Sequence, residues 1–423
     1  PVYYFNLETT VTGTHEAYCV CVTNRDGTIK EWFYGMGCCK RFLEWLPCNS
    51  LCYAHNLSYN IQFIINLLTS VHGGSIINGN QFYRVRGNFN NKSLTFKDSL
   101  RMIPLPLNEF PTMLHVTHHH VPYPRDYFKS NPPDIGIVSE AIKHLNESEV
   151  DEFIANVESK AALPDVNQFS MKRYAVYHCS TNLELLRRGF EWFRDIMFET
   201  FTLDPFSYIS LSSLANSLMI RDCYAPNGNL YELSGVPRKF ISKCIHGGRC
   251  VCKHVVVDEP LVDLDAVSLY PSAIARLYTL EGVPRVLTDE MLTDDYLINH
   301  LFDDDQLVPT REKFISGFFI EAVVVDPGIN RAFPLIDGLT QDSTVYVDHI
   351  TFIDLIRFHK ATLCPKRGYY YSGNRDVTCR RVIDRIFKLR SHYKSIDSPV
   401  QLVIKLLLNS IYGKTIMKPV DTK

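Results

Sequence analysis

Apolar positions in this chain change period several times, and each change marks an element. Residues 2–22 and 27–34 alternate at strand period around "NRDGT", whose Asp26-Gly27 pair is a hairpin signal. "KRFLEWL" (40–46) has helical spacing. "SLCYAHNLSY" (50–59) reads as a buried strand running into a helix, "NIQFIINLLTSV" (60–71). Gly73 and Gly74 lead to a second hairpin with "NNK" (90–92) at its turn. A helix is predicted at "NESEVDEFIANVES" (146–159), where Ser148 and Asp151 have capping-box spacing. Another is predicted over 182–201, "NLELLRRGFEWFRDIMFETF". Strands and helices in this order give an α/β class with a mixed sheet.

The second half differs. Residues 201–260 read as mixed helix and loop, and "LVDLDAVSLYPSA" (261–273) as a strand entering a turn. Residues 285–375 are strand-like, as in "GFFIEAVVVDP" and "TVYVDHITFIDL". Two helices close the chain, "CRRVIDRIFKLRSHYKS" and "VQLVIKLLLNSIYGKT", joined by a turn at "IDSPV" and expected to be antiparallel.

The 423 residues are too many for one core, so two or three domains are expected. Apolar residues make up 46% and charged ones 21%, as in ordinary globular proteins. No apolar run reaches the roughly 20 residues that span a bilayer. No secretory signal opens the chain, which starts at Pro1, so it reads as a piece of a longer protein. Thirteen scattered cysteines point to a reducing, intracellular setting, the cytoplasm or nucleus of a host cell. Cys244, His246, Cys250, Cys252 and His254 match no standard zinc spacing, and structural cysteines are the plainer reading. "HVTHHH" (115–120) reads as a polar loop. The net charge of -2 gives no general attraction to nucleic acid, although a local basic channel would suffice.

Two stretches carry chemistry. In "VDLDAVSLYPSA", Leu261, Val262 and Leu264 suit a buried strand, with Asp265 at its end before the Pro271 turn. A carboxylate there suits a divalent cation; a solvated Asp at a strand end is the equal alternative. In "KLLLNSIYGK", Lys405, Asn409 and Tyr412 share a helix face that suits a phosphate and a flat ring, or is merely wet. Together the stretches decide more. "DxxSLYPS" followed by "KxxxNSxYG" resembles motifs A and B of family B DNA polymerases, matched in full. Gly247 and Gly248 resemble the loop joining exonuclease and polymerase parts of that family, with Ile245 in its Tyr position. The strand-like residues between motif A and the last two helices look like the insertion of the protein-primed branch, in its viral and mobile-element members.

The resemblance implies a ribonuclease H-like 3′-5′ exonuclease-fold domain over 1–200 and a connecting segment with the first part of the palm over 201–284. It further implies a terminal-protein-region-like insertion over 285–375, helical-hairpin fingers over 376–414 and a return to the palm over 415–423. It implies two Mg²⁺ ions, held by Asp265 and the carbonyl of Ala266. It implies triphosphate and nucleotide contacts from Ser268, Leu269, Tyr270, Lys405, Asn409, Tyr412 and Gly413, with Arg390 and Lys394 as further candidates. The implied partners are primer-template DNA, deoxynucleoside triphosphates and a terminal protein primer. The Tyr-x-Asp-Thr-Asp motif of the family is not in these residues, nor is a thumb, so the piece alone is expected not to polymerise.

The first exonuclease motif of the family reads Asp-x-Glu; here it is Asn6 and Glu8. The second has Asn56 and Tyr59 in place but Asn60 in its Asp slot, and the third has His178 for Tyr and Asn182 for Asp. Three of four metal-binding carboxylates are thus amides, which are neutral and carry an N–H₂ donor. Two close divalent ions need several anionic oxygens, so no exonuclease metals and no 3′-5′ exonuclease activity are expected. Single-strand contacts are expected to survive through Thr9, Asn56, Tyr59 and Ser99. The alternatives are a decayed polymerase-like DNA-binding module and an active nuclease.

Overall fold

In the computed structural model the described residues are all but 12, 72, 116–120, 129–133, 248–255, 257, 267–268, 332–333 and 416–423. They form two compact units, Pro1–Leu218 with Lys388–Lys423, and Met219–Phe387. No helix among them is long and apolar enough to cross a membrane.

The first unit holds strands β1 (Val2–Thr9), β2 (Ala17–Asn24), β3 (Lys30–Tyr34), β4 (Ser50–Ala54), β5 (Ser70–Val71), β6 (Ile76–Asn78), β7 (Gln81–Phe89) and β8 (Lys92–Asp98). They make one sheet in the order β3-β2-β1-β4-β8-β7-β5, with β6 also on β7. β1 to β3 form an antiparallel meander, while β1–β4 and β4–β8 are parallel. The β7–β8 hairpin turns through Asn90 and Asn91, with φ of 46° and 62°. Asparagine tolerates that left-handed pair, which matches strand twist. The mixed sheet and the "NNK" turn are as the sequence predicts.

Helices α1 (Cys38–Trp45), α2 (Leu57–Asn60), α3 (Phe110–Leu114), α4 (Val138–Ala141), α5 (Val150–Lys160), α6 (Met171–Phe201) and α7 (Leu211–Met219) accompany this sheet, with a small ladder of β9 (Ile135–Ile137) and β10 (Gln168–Ser170). Side chains alternate across a strand, so β1 has two faces. Tyr3, Phe5 and Leu7 enter a core with Val20, Val22, Phe42, Leu43 and Phe96. Tyr4, Asn6 and Glu8 face α6: the Tyr4 ring lies 5.8 Å from Phe190, and its hydroxyl donates to Glu191 Oε1 at 2.8 Å.

Three local expectations are corrected. The helix expected over 60–71 is one turn of α2 followed by 3₁₀ turns at Ile61–Phe63 and Ile65–Leu67. The stiff, β-branched Ile61, Ile64 and Ile65 favour short tight turns over a continuing α-helix. The capping box is Asn146 with Glu149, not Ser148 with Asp151, because a 3₁₀ turn at Glu147–Glu149 precedes α5. The helix expected from 182 begins at Met171, N-capped by Ser170, and runs 31 residues.

The second unit holds α8 (Gly235–Ile241), α9 (Leu269–Ile274), α10 (Asp294–His300), α11 (His349–Asp354), and strands β11 (Thr279–Leu280), β12 (Arg285–Val286), β13 (Gly317–Asp326), β14 (Thr344–Asp348), β15 (Thr362–Tyr371) and β16 (Arg375–Asp376). An antiparallel sheet in the order β12-β15-β13-β14 buries Phe318, Ile320, Val324, Val347 and Phe352, as the strand-like reading of 285–375 requires. The buried strand expected at 261–265 does not form. Leu261, Val262 and Leu264 are 78%, 82% and 88% exposed. A buried strand needs partners for its N–H and C=O groups, and no described strand pairs with these residues.

Helix α12 (Thr378–Ser395) and helix α13 (Val400–Thr415) are joined by residues 396–399, as predicted. α13 buries Val403, Ile404, Leu407, Leu408 and Ile411.

Two predictions follow from the packing of the first unit. At Gly189 on α6, a Cβ would run into the Phe110 ring of α3. Gly189→Ala therefore destabilises by about 1–3 kcal/mol, although alanine favours a helix, and urea unfolding would show a lower midpoint. His55 hydrogen-bonds Leu105 O through Nε2 at 2.9 Å and Ser99 Oγ through Nδ1 at 3.0 Å. Burial pushes its imidazole down from 6.5 to about 4. The unfolded chain then binds more protons between these values, so His55 lowers stability progressively as pH falls from 6.5 towards 4. The loss is at most about 3 kcal/mol, and His55→Gln should flatten that part of the pH–stability curve.

Candidate functional site

β1 and β4 are parallel, so Thr9 and Ala54 end at the same edge of the sheet. Binding sites collect at the carboxyl ends of such strands. After β4 the chain turns at Asn56, in the left-handed region with φ 61°, and enters α2. The Tyr59 hydroxyl lies 2.5 Å from Thr9 Oγ1 and 3.0 Å from His15 Nδ1. Asn60 is 5% exposed, and its Nδ2 donates to the carbonyls of His55 (2.9 Å) and Asn56 (3.1 Å).

α6 runs antiparallel to β1 on the other side of this edge. Its His178 meets Glu8, its Cys179 Sγ donates to the Asn6 carbonyl at 3.4 Å, and its Phe190 meets Tyr4. His178 Nδ1 is 2.8 Å from Glu8 Oε1, both residues being buried. One turn on, Asn182 Nδ2 lies 3.2 Å from His178 Nε2. An amide nitrogen can only donate. With that amide orientation Nε2 accepts and Nδ1–H donates to Glu8. The His178 ring also stacks on Tyr123, with centroids 4.1 Å apart. Glu8, His178 and Asn182 thus form one closed hydrogen-bonded row, and Thr9 and Tyr59 form a second contact beside it.

This donor set does not fit a pair of divalent ions. The carboxylate of Glu8 is engaged by an imidazole, and Asn60 and Asn182 direct N–H groups at neighbouring atoms. Asn6 occupies β1 opposite Cys21 of β2.

Ser99 is fully buried, and its hydroxyl lies 3.1 Å from Ala54 O and 3.0 Å from His55 Nδ1. Its neighbour Asp98, passed over in the sequence, does more. It is 2% exposed at the end of β8, opposite Ala54. Burial raises its pKa, while the backbone N–H groups of Leu57, Leu100 and Asn56 and the charge of Arg101 oppose that rise. The Asp98 Oδ1 accepts from Leu100 N at 3.0 Å, and its Oδ2 lies 3.7 Å from Arg101 Nε. A carboxylate ending a strand, as in "FKDSL", was the signal.

The other motif residues are divided between the units. Asp265 and Ala266 lie in the exposed irregular stretch before α9, and Leu269 and Tyr270, both exposed, open α9. Ser268 and Gly248 lie outside the described residues. On α13, Lys405 and Asn409 are exposed and Tyr412 half-buried, as the shared-face reading predicts. On α12, Arg390 is half-buried and Lys394 exposed. A Cβ at Gly247 or Gly413 would meet nothing, so packing within the chain demands neither glycine. Cys244 is buried and His246 Nε2 bonds Tyr346 O at 2.7 Å; Cys250, Cys252 and His254 are outside the described residues, as are 116–120 of the histidine run.

Comparisons with known proteins agree with this layout. Probable DNA polymerases of Ascobolus immersus and Neurospora intermedia are each 21% identical to it, over 386 and 391 residues. These alignments cover 88% and 87% of this chain but 31% and 38% of those proteins, so the chain spans about a third of the length of the curated relatives it matches. Among solved structures, Phi29 DNA polymerase complexed with primer-template DNA superposes with a TM-score of 0.63 at 14% identity, covering 99% of this chain and 68% of that one. The same polymerase with incoming nucleotide substrates gives 0.61 at 15% identity, covering 97% and 67%. At that identity the likeness shows the fold, an exonuclease domain followed by palm and fingers. Residues 44–301 match the family described as DNA polymerase type B, organellar and viral. The chain belongs to that family.

Proposed function

We propose that this chain is part of a DNA-directed DNA polymerase of the protein-primed branch. It extends a primer 3′-hydroxyl, or a protein primer, in replication of viral or mobile-element DNA. We further propose that its exonuclease-fold unit no longer hydrolyses DNA. Family membership together with complete motifs A and B supports the first part. The closed row Glu8–His178–Asn182 carries the second.

At the polymerase site, Asp265 and the Ala266 carbonyl are exposed oxygen donors of the kind hard divalent cations take. Mg²⁺ bound there would neutralise charge developing at the α-phosphate. The remaining roles belong to the chain. Lys405, with Arg390 and Lys394, pairs with the triphosphate. Backbone N–H groups of Ser268, Leu269 and Tyr270 hold phosphate oxygens. The Tyr270 ring lies under the sugar and excludes a 2′-hydroxyl. Asn409 and Tyr412 line the nucleotide pocket, and Gly413 leaves room for the templating base. Gly247 and Gly248 let the backbone approach DNA. At the degenerate site, Thr9, Asn56 and Tyr59 contact a single strand without cutting it.

The complete polypeptide, carrying the Asp265→Asn change, should lose Mg²⁺-dependent primer extension by about a thousandfold or more. Undiminished extension by the variant would remove Asp265 from the reaction, and no extension by the unaltered complete polypeptide would reduce the protein to a DNA-binding module. This chain should release no nucleotide from a single-stranded 3′ end with Mg²⁺ or Mn²⁺. The combined Asn6→Asp, Asn60→Asp and Asn182→Asp variant should gain that hydrolysis, and release by the unaltered chain would overturn the reading.

A further inference from the structure

Beneath the Glu8–His178–Asn182 row lies a cluster that neither motif explains. Cys19 and Cys21 are two apart on β2 and so share a face. The ladder sets Cys19 opposite Glu8 and Cys21 opposite Asn6. Cys179 comes down from α6 between them, its Sγ donating to the Asn6 carbonyl. All three residues are at most 1% exposed, and all three are free thiols. Their sulfur atoms lie within 4.8 Å of one another.

Buried cysteines are usually small apolar core residues. Three sulfurs converging from two elements are a different arrangement. Thiolates about 2.3 Å from one cation sit about 3.8–4.0 Å apart, so closing this cluster on an ion takes movements below about 1 Å. Ser180 Oγ donates to Cys21 Sγ at 3.3 Å. Cys21 Sγ in turn donates to Val176 O at 3.8 Å. A bound cation would draw the protons from the three thiols. A cavity of about 70 Å³ lined by Cys21, Ser180, Glu184 and Lys30 adjoins the cluster at Cys21.

We propose that Cys19, Cys21 and Cys179 form a binding site for a thiophilic d¹⁰ cation, Zn²⁺ or Cu⁺. Such soft cations select thiolate ligands. The ion binds α6 to β2 directly under the degenerate exonuclease site. It is a structural site, independent of polymerase chemistry.

The test uses reduced, metal-free protein titrated anaerobically with Zn²⁺, with Cu⁺ and with Cd²⁺ as the spectroscopic probe. One Cd²⁺ per chain should bind at this site, with a thiolate-to-cadmium charge-transfer band and a higher unfolding temperature. Cys21→Ser and Cys179→Ser should each weaken it by about a hundredfold or more. Cys250→Ser with Cys252→Ser should leave this band in place. The Zn²⁺ and Cu⁺ arms show which ion raises the unfolding temperature more. Alkylation mapped by mass spectrometry gives a readout that needs no variant: metal should protect Cys19, Cys21 and Cys179 together. Absence of the band from the unaltered protein, its persistence in both serine variants, or metal that leaves these three cysteines unprotected would each overturn the proposal.

Discussion

A carboxylate buried between a strand and a helix must be matched by a donor, and in the first unit the match is His178 to Glu8. Glu8 lies on the face of β1 that α6 covers, 170 residues away in sequence. The pairing fixes the register of a 31-residue helix across β1 and β2, and Tyr4 with Phe190 and Glu191 fixes it again further along. Removing one partner would leave the other polar group buried and unsatisfied, which is costly in low dielectric surroundings. The positions of Asn182, Cys179 and the Asn6 carbonyl all follow from that register.

Much of the first unit was legible from period alone. Tyr3, Phe5 and Leu7 alternate with Tyr4, Asn6 and Glu8, and "NNK" demands the turn it makes. What period could not show was partner choice. "NLELL" looks like a helix start at Asn182, yet Ser170 caps the helix twelve residues earlier. The Glu8–His178 contact had one faint signal, a histidine in a slot where the family has tyrosine. The burial of Ser99 and its bond to Ala54 O were likewise not legible, because hydropathy does not separate a buried serine from a wet one.

The second half divides differently. The sheet of β12 to β15 followed from runs such as "GFFIEAVVV". Residues 261–265 have the same apolar character and form no strand, since apolar side chains do not supply the backbone partners that strand formation needs. Motif spelling identified the family at this point better than it described the local structure. Asp265 was found by its neighbours Ser268 to Ser272, not by any property of its own surroundings.

Asn60 places both amide hydrogens on the carbonyls of His55 and Asn56. An aspartate put there would face two oxygens of like partial charge and would have to swing away or protonate. At 182 it would aim a second carboxylate at a histidine that already serves Glu8. At both positions a single aspartate would therefore be mismatched to its present partners, buried at 60 and half-buried at 182. The amides are thus fitted to their present partners as a set, and a change at one of them disturbs contacts that the others leave in place.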